Sequence, residues 1–178
     1  MEKIGIIPNY LQNDPVRIIE KRTCLDKSGK LFSGYLCEYN KDKKNKFYYI
    51  HLLDSEEKIV SKIFFAICFD DNNFVARLLE IETKKESRRQ GKGELLICWA
   101  LDFIEHNYKG SLQRIMAEAS PGLINKQEFY DKTQTEKDLE IKKLTDIYVK
   151  YGFKITNKAN WDAKIEYIYG TKRPYLKK

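Results

Sequence analysis

Phe74-Val75-Ala76-Arg77-Leu78-Leu79-Glu80-Ile81-Glu82-Thr83, then Arg88-Arg89-Gln90-Gly91-Lys92-Gly93, then a helical stretch from Glu94 to Ile104: the order of these segments decides the fold. The first is an extended apolar run, and the second is a basic, glycine-rich loop. In the third, Leu95, Leu96, Trp99, Phe103 and Ile104 fall at helical spacing, with Glu94, Asp102 and Glu105 on other faces. Helix N-termini carry unpaired backbone N–H groups and the positive end of the helix dipole, so a loop wrapping one receives an anion without matching side chains. Gly91 and Gly93 let the backbone come close. Alternation along the strand is expected to put Leu78, Glu80 and Glu82 on one face and Leu79, Ile81 and Thr83 on the other.

Upstream, the chain reads as extended segments: Val16 to Cys24, Leu31 to Glu38, Phe47 to Leu53 and Lys58 to Phe69. Polar clusters at Asp26 to Gly29, Asn40 to Asn45, Asp54 to Glu57 and Asp70 to Asn73 reverse the chain between them, and the last makes an antiparallel hairpin. Downstream, Asn107 to Ser111 closes the helix with a glycine. Leu112 to Ala119 is again extended and stops at Ser120-Pro121-Gly122. Leu139, Ile141, Leu144, Ile147, Tyr148 and Tyr151 form a stripe that predicts a second helix from Glu136 to Tyr151, with Gly152 as its stop. Phe153 to Thr156 and Ala163 to Tyr169 then pair across a turn.

At 178 residues, with 42% hydrophobic and 33% charged side chains, the composition fits one soluble domain spanning residues 1–178. No stretch has the length and apolarity of a membrane span, and the start lacks a signal-peptide core, which predicts a cytoplasmic chain that does not enter a membrane. Cys24, Cys37, Cys68 and Cys98 show no paired spacing and only His51 and His106 could join them, so we expect free thiols and no metal site. Cys68 and Cys98 lie in apolar runs and are expected to fill the core. The net charge of +7 favours a polyanionic ligand, for which coenzyme A and RNA both qualify. The lysines at positions 41, 43, 44 and 46, and the basic tail at 172–178, read first as solvated surface.

The stretch Leu78 to Thr83 with the basic glycine loop, followed by Tyr148-Val149-Lys150-Tyr151-Gly152-Phe153, resembles the two sequence motifs of the GCN5-related N-acetyltransferase (GNAT) superfamily. The resemblance covers roughly residues 58–170 and is strongest over 74–104 and 144–155. It implies an α/β (α+β) single-domain fold: a mixed, mostly antiparallel twisted sheet of six or seven strands, flanked by helices and splayed between its fourth and fifth strands around acetyl-CoA. It further implies that backbone groups of Leu79, Ile81 and Thr83 pair with the pantetheine and acetyl amides. Gln90, Gly91, Lys92, Gly93 and Glu94 would hold the pyrophosphate through their N–H groups, and the side chains of Arg88, Arg89 and Lys92 would add charge beside them.

Acetyl transfer to a primary amine needs a neutral nucleophile, a stabilised oxyanion and a proton for the leaving thiolate. Tyr148 occupies the place of the family's tyrosine and is the expected general acid, although a phenol with a pKa near 10 donates to a thiolate only with geometric help. Glu82 and Glu80 are the expected bases, with Glu118 a third choice, and His51 reads as structural. The asparagine common in the family has no counterpart here, its usual places holding Ser120-Pro121-Gly122 and Ile141. Gly122 to Leu139 is longer than the usual connection and is expected to help define the acceptor pocket. Acidic cleft residues favour a small cationic acceptor, a lysine or an N-terminus. The basic surface favours the aminoacyl-tRNA acceptor of the family's toxin branch, which no motif selects. A non-catalytic acyl-CoA- or RNA-binding module is the reading from another class. Either a monomer or a homodimer is compatible with the sequence.

Overall fold

Eight strands form one sheet in the order β1-β2-β3-β4-β5-β6-β8-β7. They are β1 (Val16–Leu25), β2 (Leu31–Tyr39), β3 (Asn45–Leu53), β4 (Ile59–Asp70), β5 (Asn73–Thr83), β6 (Leu112–Ala119), β7 (Phe153–Ala159) and β8 (Asp162–Tyr167). Three α-helices accompany them among the described residues, α1 (Lys92–Tyr108), α2 (Lys126–Tyr130) and α3 (Gln134–Lys150), with one 3-10 turn at Lys85–Ser87. The structure, a computed structural model, describes residues 16–39, 45–70, 73–108, 110–119, 126–159 and 162–167. The readings of Ser120-Pro121-Gly122, of the lysine-rich turn at 40–44 and of the basic tail lie outside these residues.

The mixed, mostly antiparallel splayed sheet is the one the sequence implies, with eight strands instead of six or seven. Five strands precede α1, so the splay falls between the fifth and sixth strands and not the fourth and fifth. Every neighbouring pair is antiparallel except β5 with β6, whose parallel ladder runs from Phe74↔Leu112 to Leu78↔Ala117. Beyond Leu78, β5 continues to Thr83 against β4 alone, while β6 turns its other edge to β8 from Met116 onward. An unpaired edge of β5 results.

One irregularity corrects the expected strand faces. Phe64 pairs with Glu80 and Phe65 with Leu78, so Leu79 is an extra residue bulged out of β5. The bulge restarts the alternation. Leu78 therefore shares its face with Ile81, both packed into the core under α1, while Glu80 and Glu82 lie on the opposite face with Lys62.

The core lies between α1 and the sheet, where Leu96, Ile97, Ala100, Leu101 and Ile104 meet Ile50, Leu52, Ile63, Phe65, Ala76 and Ile115. Trp99 presses on β2 so closely that a Cβ at Gly34 would sit 2.5 Å from its ring. Its indole N–H donates to Glu20 Oε2 at 3.1 Å. The helix begins at Lys92 instead of Glu94 and runs to Tyr108 instead of Ile104, past which Gly110 takes φ +87°. The second predicted helix starts earlier, at Gln134, because Thr133 and Glu136 close a capping box. Gly152 ends it as expected, with φ +98° and its N–H on the Val149 carbonyl at 3.1 Å. None of the four cysteines is in a disulfide; Cys24 and Cys37 are the buried ones, while Cys68 and Cys98 are half-buried, Cys98 packing against the core as expected. No helix among the described residues is long and apolar enough to cross a membrane.

Candidate active site

A cleft of about 400 Å3 opens where β5 leaves β6. Ile81 and Thr83 form one wall and the loop from Ser87 to Gly93 curls over its end. Glu94 and Ile97 of α1 form the floor, and Glu128, Phe129, Lys132, Glu140, Lys143, Leu144 and Ile147 close the far side. Apolar chains line its depth and charged groups its mouth, which suits a long ligand with an anionic head.

Strand register sets what the wall offers. The Lys84 N–H donates to the Val60 carbonyl at 3.0 Å and the Glu82 carbonyl accepts from the Ser61 hydroxyl at 3.0 Å, so these residues turn their polar groups toward β4. Alternation along the ladder turns the backbone groups of Ile81 and Thr83 the other way, to the open edge. The Thr83 carbonyl is already taken, accepting from Arg88 Nε at 3.0 Å, and this contact pins the loop to the strand end. Leu79, the bulged residue, is exposed and does not line the cleft.

In the loop, Arg89 and Gly91 both adopt left-handed φ, +61° and +77°. Left-handed residues just before a helix gather successive N–H groups into one concavity suited to an anion. Gly91 accepts the first helical hydrogen bond, from Leu95 N–H at 3.0 Å, which leaves the first-turn N–H groups of Lys92, Gly93 and Glu94 without intrahelical partners. Two side chains of this loop differ from the expectation. The Lys92 side chain turns away and buries its ammonium against Asp26 Oδ2 at 3.1 Å, with the Gln90 side-chain oxygen as second partner and the Phe32 ring centroid 4.2 Å away. Lys92 thus brings no side-chain charge to the cleft, because a desolvated ammonium needs its partners inside the protein, and Gln90 is not among the residues that line it. Lys132 is likewise paired, with Glu140. Among the described residues, the lining cations without a partner are Arg89 and Lys143.

Glu94, in the first turn of α1, is held by three donors: Tyr151 Oη at 2.6 Å, Lys150 Nζ at 3.0 Å and Lys27 Nζ at 3.3 Å. Burial pushes its carboxyl pKa up, but these hydrogen bonds outweigh it and the net shift is downward. The cleft-facing ridge of α3 (Glu140, Lys143, Leu144, Ile147) continues at helical spacing to Tyr151. Ile141, Thr145 and Tyr148 make a separate, core-facing ridge. The single stripe read from the sequence divides in two.

Of the expected catalytic residues, Tyr148 lies on that core ridge, 4% exposed, its ring edge-on to Phe153 at 5.3 Å. Burial raises its phenol above the ordinary value. Glu80 and Glu82 bracket Lys62 at 3.6 and 3.0 Å on the sheet face away from α1. Buried His51 pairs in register with Lys62; burial, then the Lys62 charge, lowers its pKa to about 4, so it is neutral at pH 7. Glu118 is exposed on β6 opposite Lys164. None of these five lines the cleft. Sequence reasoning missed Asp26 and Lys27; of the α2–α3 wall, Glu128, Phe129 and Lys132 belong to the 122–139 segment expected to border an acceptor pocket, whereas Glu140, Lys143, Leu144 and Ile147 were not singled out as a wall. A signal for the wall existed in Thr133-Gln134-Thr135-Glu136, a capping-box pattern that starts a helix two residues earlier than the apolar stripe does.

No protein-family model matches the sequence, and no curated protein matches it. Solved structures do. The spermidine/spermine N-acetyltransferase SpeG from Vibrio cholerae is 18% identical over 72% of this chain and 68% of that one, with a TM-score of 0.48. An acetyltransferase of the GNAT family from Listeria monocytogenes is 12% identical over 66% and 62%, at 0.42, and AtaTR bound with acetyl-CoA is 15% identical over 70% and 68%, at 0.45. These likenesses concern the fold.

Proposed function

We propose that the chain is an acetyl-CoA-dependent N-acetyltransferase of the GNAT type, acting on a primary amine. The observation that carries this is the cleft between the unpaired edge of β5 and the glycine loop opening α1. It offers backbone amide groups along one wall for the pantetheine arm, and a concavity of N–H groups at its end for the pyrophosphate. Ile81 and the Thr83 N–H are the strand groups available for the arm. Arg89 and Lys143 supply the unpaired positive charge, and Arg88 closes the loop.

Tyr148 remains the proposed donor to the leaving thiolate. Its raised pKa keeps the phenol neutral, so it acts as a hydrogen-bond donor to developing negative charge. Glu82 and Glu80 remain the proposed bases, on the opposite side of the strand from the donor cleft, where a cationic acceptor meets two carboxylates and one ammonium. A second reading, a non-catalytic acyl-CoA-binding module, is favoured by one specific observation: none of these three residues lines the cleft. Release of free thiol from acetyl-CoA against a panel of small amines and lysine peptides decides between the two. Transfer that falls in kcat with unchanged donor KM in Tyr148→Phe supports the enzyme. Tight CoA binding with no turnover on any amine establishes the module.

A further inference from the structure

The donor cleft has a support that no motif includes, the turn between β1 and β2. Asp26 and Lys92 are 66 residues apart in sequence, and their paired side chains are each 1% exposed. The Asp26 carboxylate divides its two oxygens. Oδ1 accepts from Ser28 N–H at 2.9 Å, Ser28 Oγ at 2.6 Å and Lys30 N–H at 3.0 Å, which fixes the turn. Oδ2 takes the Lys92 ammonium, which fixes the first residue of α1. The next turn residue completes the seat: Lys27 N–H donates to the Gln90 carbonyl at 3.1 Å, and its stem covers Gly91 so closely that a Cβ there would lie 2.9 Å from it. Three consecutive loop residues, Gln90, Gly91 and Lys92, therefore rest on Asp26 and Lys27.

We propose that Asp26 is a positioning residue for the donor's pyrophosphate: through Lys92 it sets the direction in which the N–H groups of the cradle point. This rests on the donor reading given above. Hydrogen bonds from N–H to an anion are directional, so a cradle that is free to swivel loses them even when the fold is intact. A pair with a purely structural role would change stability and leave the affinity of a folded variant alone.

The test is calorimetric titration of the full chain with CoA, in parent, Asp26→Asn and the double variant Asp26→Asn/Lys92→Met. The double variant removes both buried charges together, so no ammonium is stranded in the interior and the chain keeps its fold. We expect both variants to bind CoA roughly 10- to 100-fold more weakly than the parent, the range for losing one or two charge-assisted hydrogen bonds, while the double variant melts with the parent. A double variant that melts with the parent and binds CoA as the parent does overturns the proposal and leaves the donor reading standing. A parent that binds no CoA overturns the donor reading itself.

Discussion

Gly91 and Gly93 look alike in the sequence and do opposite work. Gly91 sits at φ +77° under the Lys27 stem, so Gly91→Ala meets backbone strain and a crowded neighbour. It should lower stability by about 1–2 kcal/mol, the cost of a left-handed non-glycine residue. Gly93 is helical, and an added Cβ would stand 3.9 Å from both Ile81 Cγ2 and Thr83 Oγ1, in ordinary contact. Gly93→Ala should therefore raise stability, by up to about 1 kcal/mol, yet place a methyl group in the cleft and weaken CoA binding. Denaturant titration and calorimetry on the two variants check this. A Gly93→Ala protein that is stabler and binds CoA normally removes Gly93 from the donor site.

Asp26 makes a second prediction at the same scale, with a definite sign. Burial works against its charge, but bonds from Ser28, Lys92 and Lys30 prevail and bring its pKa to about 2. A carboxylate with a depressed folded pKa contributes stability above its unfolded value, near 3.9, and loses it as pH falls through the folded one. The stability gap between parent and Asp26→Asn should thus be full at pH 5 and shrink between about pH 4 and pH 2. Urea unfolding at stepwise pH measures it, and a gap that is constant across that window sinks the assignment.

At the scale of elements, α3 carries Glu140, Lys143, Leu144 and Ile147 of the cleft lining on a frame set by its cap. The Thr133 hydroxyl accepts the Glu136 N–H at 3.3 Å, and Glu136 Oε2 accepts the Thr133 N–H at 2.8 Å. Thr133→Ala should cost about 1 kcal/mol, which lowers Tm by roughly 2–4 °C for a chain of this size. Because cleft residue Lys132 directly precedes the cap and pairs with Glu140 of α3, CoA affinity should fall with it. A thermal melt with a parallel CoA titration reads both, and an unchanged Tm would show that the box contributes nothing.

Apart from α2, which no reading of the sequence placed, the elements were legible because their signals are local. Polar turns bound each strand, and the helical spacing after Gly93 is unbroken. What escaped depends on partners far along the chain. The bulge at Leu79 is visible only against β4, although the doublet Leu78-Leu79 inside an alternating run hinted at it. The two ridges of α3 differ only in what faces them, so Tyr148 and Tyr151 could not be told apart by spacing. The ion pair of Lys92 needs Asp26, which no reading of the loop alone supplies.

Taken whole, the sheet consists of β1–β5 and β6–β8, joined by one short parallel ladder ending at Leu78↔Ala117. Past that point Ile81 and Thr83 have their backbone groups on an edge that nothing pairs among the described strands, next to a concavity of helix N–H groups. If an acyl-CoA pantetheine arm completes the ladder there, it protects specific amides. Bound CoA should slow amide exchange at Ile81, Thr83 and the first turn of α1, since these N–H groups gain acceptors on binding. The Lys84 N–H, already held by the Val60 carbonyl at 3.0 Å, should change far less, although it lies beside Thr83 in the chain. Residue-resolved exchange by NMR, with and without CoA, separates the two sets. Equal protection at Thr83 and Lys84 would mean that CoA tightens the molecule generally, and would remove the strand edge from the donor site even if CoA binds.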